Sequence, residues 1–329
     1  MSSVSISIII PMYNSFKLMK QNLMVLEKNP TSKLEIIIVD DCSKDNSFLE
    51  AEKYAQESEL TIKVIQNDKN SGPGFSRNKG IENATGDYIT FVDSDDYLSS
   101  DFYNKVSLIL SEEECDCLIF DYALIDKNGS KIASGKSIGT AKVKPGFLEK
   151  KSAFVYTYGS TLGKVYRRKI ITDNEIRFAD LYRNEDMPFT KNAIADSEKI
   201  YYLNEELYNY VQVENSLMHN KSLDNEKNCQ IAFEILKKNL NEIEWKEELL
   251  ALELREVLNN SVLIMIGNDA SNQKIHQYIK NNYKKEYIQN RYFSAYPLHV
   301  KIVSCLAYLK CISVLRLIWR YKKWKKEKK

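Results

Sequence analysis

The chain lacks any apolar run long enough to cross a lipid bilayer. Its mean hydropathy of −0.42 excludes a polytopic membrane protein. Near the carboxyl end, Lys301, Lys310 and Arg316 divide the apolar residues into stretches shorter than the ~20 residues that a spanning helix needs. A signal peptide is not recognisable either, because the apolar run Ile6–Ile10 stops at Pro11 without a charged segment before it. We therefore expect the protein to stay in the cytosol.

Cysteine is scarce as well. The six cysteines are scattered over 329 residues rather than spaced as a disulfide framework. Cys115 and Cys117 are the only close pair, and no second pair accompanies them to complete a zinc site. We expect buried, reduced thiols.

The net charge of +2 conceals an uneven distribution of charge. Residues 301–329 contain ten Lys or Arg and a single acid, Glu327, which gives this segment a net charge of +9. The other 300 residues carry a net charge of −7. A mildly acidic body therefore ends in a strongly basic segment, which bears on where the protein sits in the cell.

The first third of the chain alternates β-branched apolar runs with amphipathic stretches. We predict strands over residues 5–10, 35–39, 61–65 and 88–92, separated by helices over 16–28, 45–56 and 75–84. Strands buried on both faces and separated by helices of this length predict a parallel sheet with helices on both sides.

The rest of the chain changes character at about residue 225. Before it we predict strands over 115–124, 130–133, 199–203 and 207–213, and a helix over 185–195. After it we predict helices over 232–240, 245–260 and 274–282, followed by a last segment from 296. This division gives an α/β domain over 1–225, a helical domain over 226–295 and a basic amphipathic segment over 296–329.

Polar residues follow three of the predicted strands directly. Pro11–Asn14, Asp40-Asp41 and Asp93-Ser94-Asp95 each begin where an apolar run ends. The carboxyl ends of parallel strands lie along one edge of a sheet, and open α/β sheets bind nucleotides in the crevice at that edge. We expect these three clusters to lie close together there.

The acidic cluster Asp93–Asp96 is the most informative of these. Two carboxylates two residues apart after a buried strand suit a hard divalent cation, Mg²⁺ or Mn²⁺, with positions left for phosphate oxygens. The alternative is a solvated acidic turn. The adjacent acids Asp40 and Asp41 could accept a nucleobase N–H or a ribose hydroxyl, or one of them could cap the following helix.

The glycine-containing segment Asn70–Asn78 opens the helix before the fourth strand. Glycines allow the backbone to approach an anion, and a helix N-terminus beside Arg77 can hold phosphate. The alternative is a flexible loop with an arginine that faces its own helix. The segment matches neither a Walker A loop nor a dinucleotide fingerprint.

In the order and spacing of these motifs the chain resembles the family 2 glycosyltransferases of the GT-A fold. The motifs are Ser7–Asn14, Glu35–Asp45, Asn70–Asn78 and Gly86–Asp96. The resemblance covers roughly residues 4–220, and it is similar in detail to bacterial enzymes that decorate wall teichoic acid or build capsular polysaccharide. It implies a GT-A catalytic domain and single-displacement, inverting transfer from a nucleotide diphosphate sugar.

The resemblance also implies roles for particular side chains. Those that would bind the nucleotide and the donor are Pro11, Tyr13, Asp40, Asp41, Asn70, Arg77, Asp93, Ser94, Lys164 and Glu185. Tyr13 would stack on the base, Arg77 would approach the diphosphate, and Asp93 would contact the ribose or the donor. Asp95 would bind the metal ion.

A second acidic motif, Arg183–Phe189, matches the family's Glu-Asp pair at a helix start. It makes Asp186 the candidate general base for the acceptor hydroxyl. The alternative is an acidic pair favoured by the helix dipole. Lys164 would help with donor or acceptor, and its alternative is a surface lysine whose charge reaches solvent.

The sequence departs from the family pattern after Tyr210. Many relatives carry arginine where this chain has Val211 and Val213, so we expect no arginine contact to the diphosphate from this loop. His219 matches the place where some relatives use a histidine as a metal or phosphate ligand. The alternative for His219 is a plain surface side chain.

The basic segment 296–329 predicts a helix lying in the membrane interface, held by apolar area and by anionic lipid. The alternatives are a helix packed on the catalytic domain and a nucleic-acid patch. Aromatic modules of RNA-binding proteins are absent, so we expect no nucleic-acid partner.

Together these patterns predict a metal-dependent hexosyltransferase at the inner face of a bacterial plasma membrane. Its donor would be a UDP-sugar, with UDP implied by the resemblance, and its acceptor a lipid-linked or polymeric cell-surface glycan. One alternative is a sugar-nucleotide pyrophosphorylase, although Pro11–Asn14 stands where that class needs a glycine-rich loop with arginine. Another is a non-catalytic membrane-associated scaffold, and a homo-oligomer through the helical part is left open.

Overall fold

The computed structural model describes residues 4–28, 31–140, 143–181, 183–212 and 224–327. They divide into two compact units. The first holds the described residues of 4–138, 143–153 and 157–212, and the second holds those of 139–140, 154–156 and 224–327. The domain boundaries expected from the sequence stay predictions.

One sheet organises the first unit. Its strands are β1 (Ile6–Met12), β2 (Leu34–Asp40), β3 (Thr61–Gln66), β4 (Tyr88–Phe91), β5 (Tyr97–Leu98), β6 (Cys117–Ile125), β7 (Lys131–Gly135), β8 (Gly146–Leu148), β9 (Lys164–Arg167) and β10 (Ile200–Val211). The order is β3-β2-β1-β4-β9-β6-β10-β5, with β7 paired to β6 and β8 paired to β10. Strands β1–β4, β6 and β10 share one direction, whereas β9 and β5 run against it. The predicted parallel sheet is confirmed as a mostly parallel one.

Helices of the first unit follow the strands in sequence. They are α1 (Phe16–Leu26), α2 (Ser47–Glu57), α3 (Pro73–Asn83), α4 (Phe102–Glu113), α5 (Lys150–Tyr156), α6 (Arg168–Asp173) and α7 (Asp186–Asp196). The last three residues of α5 belong to the second unit. Ile8 and Ile10 of β1 join a core with Leu23 of α1. Ile9 points the other way, and a Cβ on Gly80 of α3 would lie 2.3 Å from its Cγ2 atom. Both faces of the sheet are therefore covered.

The strand prediction near residue 205 was wrong. We expected two strands, over 199–203 and 207–213, but β10 is continuous and its register against β6 shifts on either side of Glu206. Glu205 and Glu206 extend outward to pair with Lys105 and Lys131. Because both acids form ion pairs with lysines beside the strand, this polar part of the sequence causes a local shift in strand register rather than a turn.

The second unit is helical. Its elements are α8 (Asp224–Asn239), α9 (Lys246–Leu252), a π-helical segment (Glu253–Leu258), α10 (Asn259–Gly267), α11 (Asn272–Asn282), α12 (Lys285–Gln289), a 3₁₀ turn (Phe293–Ala295), α13 (Leu298–Tyr308) and α14 (Ile312–Glu327). The single helix predicted over 245–260 is interrupted by the π segment and continues to Gly267. None of the described helices combines the length and the hydropathy needed to cross a bilayer.

Candidate active site

The loops after β1 and β2 are tied to each other at the carboxyl edge of the sheet. Asn14 N donates to Ser43 Oγ (2.8 Å), and Asn14 Oδ1 accepts from Lys44 N (2.7 Å). Ser43 N in turn donates to the buried carboxylate of Asp40 (3.0 Å). The half-exposed ring of Tyr13 lies on the first of these loops, where a planar ligand could reach it.

Asp41 fixes the glycine-containing loop before α3. Its two carboxylate oxygens accept from Ser71 N (2.8 Å) and Gly72 N (2.7 Å), and Asn67 Nδ2 also donates to it (2.9 Å). Gly72 has a φ of +86°, a conformation that favours glycine. The capping alternative for the two acids is wrong, because α2 begins at Ser47, whose N–H bonds to Asp45. The predicted contacts of Asp40, Asp41 and the exposed Asn70 with a nucleotide stay predictions.

Arg77 of α3 links two distant parts of the chain. Its Nη2 donates to Asp93 Oδ1 and its Nη1 to Glu185 Oε1, both at 2.7 Å. The guanidinium also lies 5.3 Å from the ring centroid of Phe178, and Nε is buried without a hydrogen-bond partner. Although burial alone would lower it, the charges of Asp93 and Glu185 raise the pKa of Arg77. Both terminal nitrogens are thus engaged by carboxylates, and the predicted approach of Arg77 to a diphosphate stays a prediction.

The acidic turn after β4 places its three carboxylates in different environments. Asp93 is partly exposed, whereas burial together with the charge of Asp93 raises the pKa of Asp95 to about 6. Asp96 is fully buried and accepts from Tyr208 Oη (2.7 Å) and Val211 N (2.8 Å). The side chain of Ser94 accepts from Ser15 Oγ of the first loop (2.8 Å).

The sequence interpretation gave Asp96 no role. In the structure it joins the acidic turn to the end of β10, immediately before residues 213–223. The sequence does contain a hint of this role. Asp96 is a third acid directly after Asp93 and Asp95, and a cation site built from two carboxylates does not need it.

Asp186 is the first residue of α7, next to Glu185 and therefore to the Arg77 network. Burial raises its pKa to about 7, the charges of Glu185 and Asp93 add to this effect, and the Arg77 guanidinium opposes it. The helix is held in place by Phe189, whose ring stacks on Phe178 at 4.0 Å. A carboxylate that titrates near neutral pH is suited to taking a proton from a hydroxyl group.

Lys164 is fully buried, so the alternative of a surface lysine is wrong. Its Nζ donates to the carbonyl oxygens of Ser160 (2.7 Å) and Leu162 (2.9 Å). Both acceptors belong to the loop Gly159–Gly163, which directly precedes β9. Burial lowers the pKa of Lys164 to about 8, against the opposing charge of Asp186. Gly159 packs against Met187 of α7, so the lysine organises the loop beside Asp186.

The donor set at the acidic turn fits a hard divalent cation. Asp93 and Asp95 offer carboxylate oxygens. Burial, together with the charge of Asp93, raises the pKa of Asp95, and a bound cation would offset both effects. Among the residues that the structure describes, no three His, Cys, Asp or Glu side chains gather into a metal cluster. His219, the second predicted ligand, lies outside the described residues.

Comparison with known proteins supports the arrangement of the first unit. In sequence, the chain is 33% identical to the poly(ribitol-phosphate) beta-N-acetylglucosaminyltransferase TarS of Staphylococcus aureus over 208 residues, which is 62% of this chain and 35% of TarS. It is 31% identical to the glycosyltransferase EpsH of Bacillus subtilis over 214 residues, 64% of this chain and 61% of EpsH. The matched region thus spans about a third of the length of TarS.

Solved structures share the fold. A crystal structure of TarS 1–349 in complex with UDP-GlcNAc superposes with a TM-score of 0.70 at 24% identity, covering 98% of this chain and 92% of that one. A mannosyltransferase from Pyrobaculum calidifontis in complex with GDP-Man and Mn²⁺ gives a TM-score of 0.55 at 15% identity, covering 93% and 87%. The predicted GT-A fold with its C-terminal helices is confirmed.

A family model also matches the sequence itself. The model described as glycosyl transferase family 2 matches residues 7–174, which contain the loops after β1 and β2, Arg77 and the acidic turn. The chain belongs to glycosyl transferase family 2.

Proposed function

We propose that the protein transfers a hexose or N-acetylhexosamine from a UDP-sugar to a hydroxyl group of a cell-surface glycan, with inversion at the anomeric carbon. One observation carries this proposal: Asp186, with a pKa of about 7, lies one residue from Glu185, which Arg77 ties to the acidic turn. The candidate base is thereby adjacent in the chain to a hydrogen-bonded network that reaches the acidic turn.

Asp186 acts as the general base. Because its pKa is raised, its carboxylate is a stronger base than an ordinary one, and it takes the acceptor hydroxyl proton as the oxygen attacks the anomeric carbon opposite the departing diphosphate. A single displacement of this kind inverts the anomeric centre. No side chain has to form a covalent intermediate.

The surrounding residues bind and orient the donor. Tyr13 stacks on the uracil ring, and the loops fixed by Asp40 and Asp41 contact the nucleoside. Glu185 contacts the donor sugar, whereas Arg77 positions Glu185 and Asp93 and adds positive charge near the diphosphate. Lys164 shapes the loop beside the acceptor base.

A divalent cation, Mn²⁺ or Mg²⁺, is part of the proposal. Asp95 would ligate it, with His219 as a second ligand. When bound, such an ion neutralises charge that builds on the leaving diphosphate.

The donor and acceptor classes are supported by the proteins that the chain resembles. TarS is named for transfer of N-acetylglucosamine to poly(ribitol phosphate), and a Bacillus spizizenii relative, 32% identical over 200 residues, is named a poly(ribitol-phosphate) beta-glucosyltransferase. We infer a polymeric or lipid-linked glycan acceptor of a bacterium. The place of action is then the inner face of the plasma membrane, with residues 296–329 toward the lipid.

Thermal stabilisation by nucleotides tests the donor class and the metal together. Melting temperatures are measured with UDP, GDP, dTDP and a panel of UDP-sugars, with and without Mn²⁺, for wild type, Asp95→Ala and the control Asp101→Ala. Asp101 is also an acid, but it is exposed and lies outside the acidic turn. We expect stabilisation by UDP plus Mn²⁺ in wild type and Asp101→Ala, and its loss in Asp95→Ala.

The other outcomes point elsewhere. Stabilisation by UDP that is equal with and without Mn²⁺ removes the metal from the proposal. Absence of a shift with every nucleotide favours the scaffold alternative. Formation of a nucleotide sugar from a sugar phosphate and a nucleoside triphosphate would identify a pyrophosphorylase instead.

A further inference from the structure

The helices α13 and α14 form a hairpin whose inner face belongs to the core of the second unit. Val303 and Ala307 of α13, and Ile312 and Leu315 of α14, are buried in one cluster with residues of α10 and α11. The hairpin is therefore a packed part of its unit.

The opposite face of α14 is also apolar, and it is exposed. Val314, Leu317, Tyr321 and Trp324 are 44%, 65%, 60% and 50% exposed. Their spacing of three, four and three residues places them on one stripe of a helix. At about 100° per residue, this stripe lies on the side opposite Ile312 and Leu315.

The first helix of the hairpin has the same organisation. Leu298 and Ile302 are exposed on one side of α13, away from the buried Val303 and Ala307, and Leu309, the residue that follows the helix, is exposed as well. Because the inner faces of both helices join one core, both exposed stripes face outward. Together these seven side chains form what we call the outer face of the hairpin.

Positive charge accompanies the outer face. Lys310 and Arg320 are exposed next to Leu309 and Tyr321, and residues 301–329 carry ten Lys or Arg against one acid. A second copy of the chain would bring an equal positive charge to this face and be repelled. An anionic lipid surface attracts it, and tyrosine and tryptophan are the side chains that settle at the boundary between lipid and water.

We infer that the outer face of the hairpin docks on an anionic phospholipid bilayer, with both helices lying in the plane of the interface. The side chains of the outer face enter the boundary between headgroups and acyl chains, while those of the inner face keep the hairpin packed on its unit. This inference extends the proposed place of action, but it concerns lipid binding and not the transfer reaction.

Flotation of the full chain with vesicles tests the inference. The vesicles are made of phosphatidylglycerol and phosphatidylcholine in equal parts, or of phosphatidylcholine alone. The variant is Leu317→Glu with Trp324→Glu. The matched control is Ile231→Glu with Ile243→Glu, which introduces the same two charges at exposed apolar residues of the same unit outside the hairpin. We expect wild type and control to float with the anionic vesicles and the double variant to bind at least tenfold more weakly.

Circular dichroism melting checks that the double variant is folded, which is expected because both side chains point away from the core. Absence of wild-type binding to anionic vesicles would overturn the inference, as would equal binding by the folded double variant. If light scattering shows a wild-type dimer that the double variant converts to a monomer, the outer face is a contact between copies instead. Because the readout is flotation, a failure here is separate from a failure of UDP-sugar turnover.

Discussion

The candidate site in the first unit and the outer face of the hairpin in the second depart from ordinary burial in opposite directions. The first buries charge: Arg77, Glu185, Lys164 and Asp96 are all under 8% exposed. The second exposes apolar surface on the outer face of α13 and α14. Buried charges are costly unless paired, and contiguous exposed apolar groups are costly in water, so neither arrangement follows from folding alone.

The difference indicates what each unit is arranged to contact. A buried, hydrogen-bonded network fixes carboxylates in position before a polar substrate arrives, which suits chemistry on a charged donor. The exposed apolar side chains beside basic residues become buried only when a partner covers them, and an anionic lipid surface can do so. In each unit, the region to which we assign a function is the one that breaks the rule that apolar side chains are buried and charged ones exposed.

The largest expected effect is that of Asp186→Asn on turnover. Removing the base should lower the turnover number about 10²–10⁴-fold, while stabilisation by UDP persists because the asparagine keeps the size of the side chain. Steady-state kinetics with a UDP-sugar and a glycan acceptor measure it. Asp196→Asn, at the exposed far end of the same helix, is the control and should retain activity. Activity of Asp186→Asn within threefold of wild type would exclude Asp186 as the base.

Arg77→Met should cause the next largest effect, a loss of folding stability. The variant leaves Glu185 and Asp93 without their cation, and removing one member of a buried ion pair costs about 3–5 kcal/mol. Urea unfolding at neutral pH measures the free energy. Arg77→Lys should recover only part of it, because an ammonium cannot reproduce two hydrogen bonds from separate nitrogens. An unfolding free energy equal to that of wild type would mean that the network does not support the unit.

A smaller effect concerns the pH dependence of stability. The folded protein holds the Asp186 proton more tightly than the unfolded chain, since its pKa is about 7 instead of 3.8. Between pH 4 and pH 7 the folded state therefore binds more protons, and stability falls as pH rises through this window. The Asp186→Asn variant cannot titrate at this position. The difference between its free energy of unfolding and that of wild type should therefore shift in favour of the variant by about 1–3 kcal/mol from pH 4 to pH 8. Urea unfolding across this range measures the difference, and a constant difference would contradict the raised pKa.

Much of the fold could be predicted from periodicity. Strands β1, β2 and β4 are buried runs rich in Ile, Val and Phe, separated by amphipathic helices, and such local patterns can be recognised from neighbouring residues. The expectation of burial on both faces was wrong for β3, which lies at the edge of the sheet with its side chains exposed or half-buried. The later strands depend on distant partners. The four-residue strand β9 lies between β4 and β6, which come from far earlier in the chain, and nothing local in Lys164–Arg167 marks it.

The candidate site was predictable in its location and less so in its contacts. Strand ends in a parallel sheet place Asp41 and Asp93 at one edge, and that expectation needs only the order of the elements. Sequence could not reveal that Arg77 engages Asp93 and Glu185, residues 16 and 108 positions away, or that Lys164 is enclosed by its own loop. These contacts depend on tertiary packing, which brings separate motifs together after each has formed its own element.

The smallest expected effect distinguishes the two faces of α14. Leu317→Ala on the outer face should change the free energy of unfolding by no more than about 0.5 kcal/mol, because the side chain is exposed in the isolated protein. Leu315→Ala, two residues away on the inner face, should cost about 2–5 kcal/mol, since it opens a cavity in the core of the second unit. Urea unfolding of both variants makes a matched pair, with the same substitution in the same helix. A large cost at Leu317 would mean that the outer face is buried in solution by another copy or another segment, whereas a negligible cost leaves it free for a lipid surface.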